Sequence, residues 1–119
     1  MTLDNILEQI NKAEKIVILT HENPDGDAMG SSLAMYHAIK AYGKNPDLVI
    51  PEHPKVFDWL PGINEIKTET NIEHYDLAIS LDCASIKMLN GFAQYFENAK
   101  EKVCIDHHGT NTMFGDYNY

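Results

Sequence analysis

The sequence contains no arginine. Its nine basic residues are all lysines, set against 18 acidic residues for a net charge of -9. A polyanion without the planar guanidinium fork is poorly suited to gripping a nucleic-acid backbone, so duplex DNA binding is not expected. A phosphorylated substrate is not excluded, because bound divalent ions can supply positive charge where a phosphate needs it. Cysteine is scarce: Cys83 and Cys104 form no CxxC pair and each sits in or beside an apolar run. That excludes a structural thiolate zinc site and reads as two small buried thiols. No apolar run approaches the roughly 18 residues of a membrane span, and no signal-peptide pattern opens the chain. Membrane association is therefore not expected, and a cytoplasmic location follows by default. Repeats and low-complexity tracts are also lacking. What remains is 119 residues, 44% of them hydrophobic, which suits one globular domain.

The apolar pattern alternates between strand and helix signals. Thr2 can cap a helix that puts Leu3, Ile6, Leu7, Ile10 and Ala13 on one face. Ile16-Val17-Ile18-Leu19 reads as a strand buried on both faces, and Asn23-Pro24-Asp25-Gly26 as a turn. A helix is expected from Ala28, with Met29, Leu33, Tyr36, Ile39 and Ala41 at helical spacing and Gly43 as its stop. Leu48 to Ile50, Leu77 to Leu81 and Lys102 to Asp106 are further strands. Phe57, Trp59 and Leu60 are expected to pack as a helical turn. Ser85 to Ala99 reads as a helix with Met88, Leu89, Phe92 and Phe96 inward, weakened by Asn90-Gly91. The class is α/β: a Rossmann-like three-layer domain with a mainly parallel sheet. Gly109 to Tyr119 is polar and adds no helix. A doubly wound sheet is usually covered on both faces, so the domain is expected to be truncated, and an exposed sheet face could favour a homodimer.

Three of the strands end in chemistry. The first runs into His21-Glu22-Asn23-Pro24-Asp25-Gly26-Asp27, the third into Asp82, the last into Asp106-His107-His108. The carboxyl rim of a parallel sheet is where ligands bind, and carboxylates with imidazoles are divalent-metal donors. A plainer role exists for each: Asp27 as helix cap, Asp25 in an Asx turn, Asp82 as a loop cap. The co-occurrence of His21, Asp25 and Asp27 at a buried strand end favours the metal role, and Asp82 is placed to bridge two ions. Adjacent residues on an extended backbone point apart, so His107 and His108 are expected to divide between metal and substrate, with Asp106 holding an imidazole. Gly30 and Ser31 lie in the first turns of the second helix, where free N–H groups attract anions; close helix packing would explain Gly30 equally well. Lys87 is placed either to meet a phosphate or to sit in solvent. His37, His53 and His74 lack such acidic company and read as ordinary surface or packing residues.

Taken together, His21-Glu22-Asn23-Pro24-Asp25-Gly26-Asp27-Ala28-Met29-Gly30-Ser31, Leu81-Asp82-Cys83-Ala84-Ser85 and Asp106-His107-His108 resemble the DHH phosphoesterase superfamily. The Asn-Pro-Asp-Gly-Asp turn and the Gly109-Thr110-Asn111 after the His pair resemble most its nanoRNase/pAp-phosphatase branch. The resemblance implies a manganese-dependent phosphohydrolase with two Mn²⁺ ions (or Mg²⁺), acting on short oligoribonucleotides or pAp-like nucleotides. It implies His21 and Asp25 on one ion, Asp27 and His107 on the other, Asp82 bridging, His108 toward the scissile phosphate, and Asp106 in support. The family has a further metal-binding Asp downstream, which Asp116 comes too early to match. It also has a second, substrate-binding domain with basic residues. Residues 1–119 are therefore expected to be the N-terminal part of the catalytic domain, with little turnover alone. Lys87 stands where this branch often has arginine. The alternatives are an inactive metal-binding module, an inorganic pyrophosphatase-like hydrolase, and a metal-free Rossmann-type sensor. The last is disfavoured by the mutual repulsion of rim carboxylates.

Overall fold

Five short parallel strands form one sheet in a computed structural model that describes residues 3–119. They are β1 (Ile16–Thr20), β2 (Asp47–Leu48), β3 (Leu77–Leu81), β4 (Glu101–Ile105) and β5 (Tyr117–Asn118), in the order β2-β1-β3-β4-β5. Both β1 and β3 are buried at every position, which is why their sequences are continuously apolar rather than alternating. Successive side chains still point to opposite faces. Ile16, Ile18 and Ile79 pack with helices α1 (Leu3–Lys12) and α2 (Gly26–Ala41). Val17, Leu19 and Ala78 pack with the short helix α3 (Ala93–Glu97) and the 3-10 segment Ile86–Phe92. The result is the three-layer, parallel α/β architecture that the alternating pattern predicts. Cys83 and Cys104 are buried free thiols in it, and burial pushes the Cys83 thiol up to about 11.

Local chemistry sets the helix bounds. Helix α2 starts at Gly26, two residues before the expected Ala28, because Asp25 rather than Asp27 takes the N-cap: its Oδ1 accepts from Ala28 N at 2.9 Å. Past the other end, Gly43 adopts φ 87°, a left-handed value suited to glycine. There Gly43 N donates to Lys40 O and Lys44 N to Ile39 O, closing the helix in a Schellman motif. Met29, Leu33, Tyr36 and Ile39 are buried as expected, whereas Ala41 is exposed. On α1, Ile6 and Ile10 are buried but Leu3 and Leu7 are exposed; the cap expected of Thr2 lies outside the described residues.

Two expectations need correction, and one element is added to those expected. Ser85 to Ala99 is not one helix. It is a 3-10 segment, Ile86–Phe92, kinked at Asn90 (φ 48°, ψ -125°), followed by the five-residue helix α3, and Met88 turns outward. Trp59 does not pack inward with Phe57 and Leu60; it is 74% exposed. The polar end of the chain supplies a fifth strand, because Asp116 N and Tyr119 N donate to Lys102 O and Cys104 O, both at 2.8 Å. Gly115 permits that approach: a Cβ there would lie 3.0 Å from Cys104 N.

The chain leaves β1 toward β2 on one side, then returns to lay β3, β4 and β5 on the other. The crevice between the carboxyl ends of β1 and β3 is thus a topological switch point. Thr20 Oγ1 donates to Leu81 O at 2.8 Å and ties those two ends together. At the opposite end, Asp76 Oδ2 accepts from Glu14 N and Lys15 N at 3.0 and 2.9 Å. Those backbone donors hold the Asp76 carboxyl below its usual range. A depressed carboxylate pKa stabilises the fold above the unfolded-state value, and that gain is lost as pH falls through the folded value. Asp76→Ala should therefore cost about 1 kcal/mol at pH 7, discounted for its exposure. In urea titrations the gap from wild type should narrow as pH drops below about 4.

Candidate metal centre

His21 leaves the end of β1 with its Nδ1 2.8 Å from Glu22 O. A carbonyl only accepts, so Nδ1 carries the proton and Nε2 presents a lone pair. That Nε2 lies 3.9 Å from Asp25 Oδ1 and 3.7 Å from Asp82 Oδ2. Asp82 follows β3 in a left-handed conformation at φ 56°, with its N–H bonded to Ile105 O. Its carboxylate is buried, 5% exposed. The other oxygen, Oδ1, lies 3.0 Å from His107 Nε2, and the same nitrogen is 3.0 Å from Asp27 Oδ2. Asp82 therefore turns one oxygen to the His21–Asp25 pair and the other to the His107–Asp27 pair.

The two histidines after Asp106 do not diverge as an extended backbone predicts. Strand β4 ends at Ile105, and beyond it both rings turn toward Asp82, with centroids 4.7 Å apart. His108 Nδ1 is 3.8 Å from Asp82 Oδ1 and 2.6 Å from Asp106 Oδ1. The hydrogen bond to Asp106, together with the charges of Asp106, Asp82 and Asp27, raises the His108 pKa. Burial pushes the Asp106 carboxyl up, but hydrogen bonds from Asn111 and His108 outweigh it and hold the group low. Potential ligand atoms of His21, Asp25 and Asp82 lie within 4.8 Å of one another, as do those of Asp82, Asp106, His107 and His108.

These residues fit divalent ions. Four carboxylates, Asp25, Asp27, Asp82 and Asp106, crowd one rim, while among the described residues the lysine ion pairs go to Glu8 and Asp47. Oxygen and imidazole donors without thiolate suit manganese or magnesium. Beside the donors lies a crevice of about 360 Å³ where Ser31, Leu81, Ile105 and Tyr119 join Asp27, Asp82, Asp106 and His107. Ser31 Oγ reaches Asp27 Oδ1 at 3.3 Å. Gly30 and Lys87 are exposed and do not line this crevice. A Cβ at Gly30 would meet nothing within 4 Å, so close packing does not explain that glycine. The other histidines are occupied elsewhere: His37 with Pro61 O, His53 with Asp58, His74 with Asn98 O.

Residue-by-residue reading missed three participants. Asn111 donates to Asp106; the turn-forming Gly109-Thr110-Asn111 was the available signal. Asn90 Nδ2 donates to Glu22 Oε2 at 2.6 Å, tying the strained Asn90 to the first motif. Tyr119 reaches the crevice only through the unforeseen β5.

Among the described residues no helix is long and apolar enough to cross a membrane. Over 102 residues the chain is 37% identical to the bifunctional oligoribonuclease and PAP phosphatase NrnA of Thermus thermophilus, covering 84% of this chain and 30% of that protein. It is 36% identical over 47 residues to the NrnA of Mycoplasma genitalium, covering 40% of this chain and 15% of the relative. The chain thus spans less than a third of the length of these curated relatives. A crystal structure of an exopolyphosphatase-related protein from Bacteroides fragilis superposes with a TM-score of 0.89 at 28% identity, over 98% of this chain and 37% of that one. The model of the DHH family, N-terminal domain, matches residues 15–118, and this chain belongs to that family.

Proposed function

We propose that residues 1–119 form the N-terminal, metal-binding part of the catalytic unit of a manganese-dependent phosphohydrolase acting on short oligoribonucleotides or pAp-like nucleotides. The observation that carries this reading is the division of Asp82, with Oδ2 toward His21 and Oδ1 toward His107. His21, Asp25 and Asp82 would hold one ion; Asp82, Asp27 and His107 would hold the second. The chemistry a divalent pair supplies when bound is activation of water and neutralisation of phosphate charge. The protein's own groups do the rest. The Glu22 carbonyl fixes the His21 tautomer. Asp106 keeps a proton on His108 Nδ1 and leaves Nε2 as the atom that meets the scissile phosphate or its leaving group. The apolar walls of the crevice, Leu81 and Ile105, limit water beside the reacting group. The names of the NrnA relatives support the substrate class.

Calorimetric titration with Mn²⁺, followed by assays on pAp and on RNA of a few nucleotides, tests this. Two bound ions and slow, EDTA-sensitive phosphate release from pAp are expected. Mn²⁺ binding without turnover favours the metal-binding module instead, and absence of Mn²⁺ binding sinks both readings.

A further inference from the structure

Asn111 makes polar contacts with five residues around the site, through its amide and its backbone N–H. Its Nδ2 donates to Asp106 Oδ2 at 2.8 Å and to Cys83 O at 3.3 Å, and contacts Cys104 Sγ at 3.5 Å. Its Oδ1 accepts from Met113 N at 2.6 Å, and its own N–H donates to His108 O at 3.1 Å. An amide NH₂ has two hydrogens, and the geometry gives the better two bonds to Asp106 and the Cys83 carbonyl. Cys83 directly follows Asp82, and Cys104 lies within β4. The amide therefore references the Asp106 carboxylate to the ends of two central strands. The second Asp106 oxygen holds His108 Nδ1 at 2.6 Å. With one oxygen fixed by an amide and the other by an imidazole, the carboxylate plane has little freedom to rotate.

We propose that Asn111 is a positioning residue: its amide orients Asp106, and through Asp106 it fixes the Nδ1–H tautomer and the direction of the His108 ring beside the metal-binding carboxylates. The consequence for turnover rests on the phosphohydrolase reading; the consequence for the imidazole does not. The turn at Met113, a residue at φ 56°, is held through Oδ1, whereas Asp106 and the Cys83 carbonyl are held through Nδ2. The two roles use different atoms, so one substitution separates them. Asn111→Asp keeps the acceptor for Met113 N and removes the donor, setting a carboxylate against Asp106. Asn111→Ala removes both.

The test is a two-bond ¹H–¹⁵N spectrum of the histidine rings in the metal-free chain, at a pH where the imidazoles are neutral. Wild type should show His108 as a single Nδ1–H tautomer. Both N111D and N111A should shift it toward a mixture with the Nε2–H form. His21, held independently by the Glu22 carbonyl, should keep its pattern and so report an intact fold. A wild-type His108 pattern in N111D overturns the proposal. Loss of the His21 pattern in N111D also overturns it, since Asn111 would then be a determinant of global stability. In turnover, N111D should lower kcat roughly 10- to 100-fold, the range for groups that orient ligands, with KM within about twofold. Unchanged kcat with an altered tautomer refutes the catalytic half and leaves the phosphohydrolase reading standing. A wild-type protein that binds Mn²⁺ but hydrolyses nothing defeats that reading and leaves the ring spectra to decide on Asn111.

Discussion

Asp82→Asn should make the metal-free chain more stable and the metal-loaded chain less stable than wild type. Asp82 is a carboxylate with 5% exposure, among Asp25, Asp27 and Asp106. Burying a charge is costly unless a counter-charge accompanies it, and among the described residues the lysine ion pairs lie elsewhere. An amide of the same shape still offers Oδ1 to His107 while shedding the charge. A gain of about 1 kcal/mol without metal is expected, worth about 4 °C in Tm for a domain of this size. Saturating Mn²⁺ reverses the order. Wild type should gain about 2.7 kcal/mol at a hundredfold excess over Kd, and the variant should gain little, because the one residue shared by both donor sets no longer carries charge. Thermal melts of both proteins with and without Mn²⁺ make the comparison. A metal response in Asp82→Asn equal to that of wild type would remove Asp82 from the bridging position. Hydrolysis should fall by more than the roughly 100-fold seen when outer supports of a metal site are lost.

Phe96→Ala is expected to be the most damaging single change away from the rim. Phe96 is fully buried and packs with Phe114 at a centroid distance of 5.1 Å. The five-residue α3 has no independent helical stability, so its place on the sheet depends on burying Tyr95 and Phe96. Truncation should cost about 3–5 kcal/mol, a large part of the roughly 5–15 kcal/mol that holds a domain together. Urea denaturation should show the midpoint falling at constant slope. Trp59→Ala, at a residue 74% exposed, should stay within about 0.5 kcal/mol of wild type. Because Phe114 belongs to the segment that carries Asn111, Phe96→Ala should also loosen the support of Asp106.

The contrast between those two aromatic residues shows where the sequence was legible. Strands β1 and β3 were evident because a run buried on both faces leaves a signature that nothing local competes with. Helix α2 was evident because its cap, its inner face and its glycine stop agree. The segment around Ser85 to Ala99 carried helical spacing across Asn90-Gly91, and the backbone there obeys the local residues rather than the period. Trp59 looked like core because it is large and apolar, but burial depends on what lies opposite, which a single segment does not encode. Strand β5 has only two residues, too short for any period, and exists through bonds to β4. At the rim, residue types and their places at strand ends mark His21, Asp25, Asp27, Asp82 and the His107-His108 pair as candidates, and the family resemblance singles out His107. Their geometry was less accessible: the bend after Ile105 that brings both imidazoles to Asp82 is a tertiary effect. The role of Asn111 is not legible locally, because its partners are a carboxylate five residues away and a carbonyl 28 residues away.

The order of strands in the sheet also bears on how the site comes into being. Pairing of β1 with β3 joins Ile16 to Leu77, and the donors around Asp82 run from His21 to His108. No stretch of the chain short enough to fold early contains both donor sets. The slow, non-local closure of the central strands must come first, as is usual where contacts are distant in sequence. An ion that binds only the finished rim has no partner in that transition state, so its stabilisation falls on the rate of unfolding and leaves the rate of folding nearly untouched. In this architecture a bound metal would be a latch on a completed sheet and not a nucleus for building one.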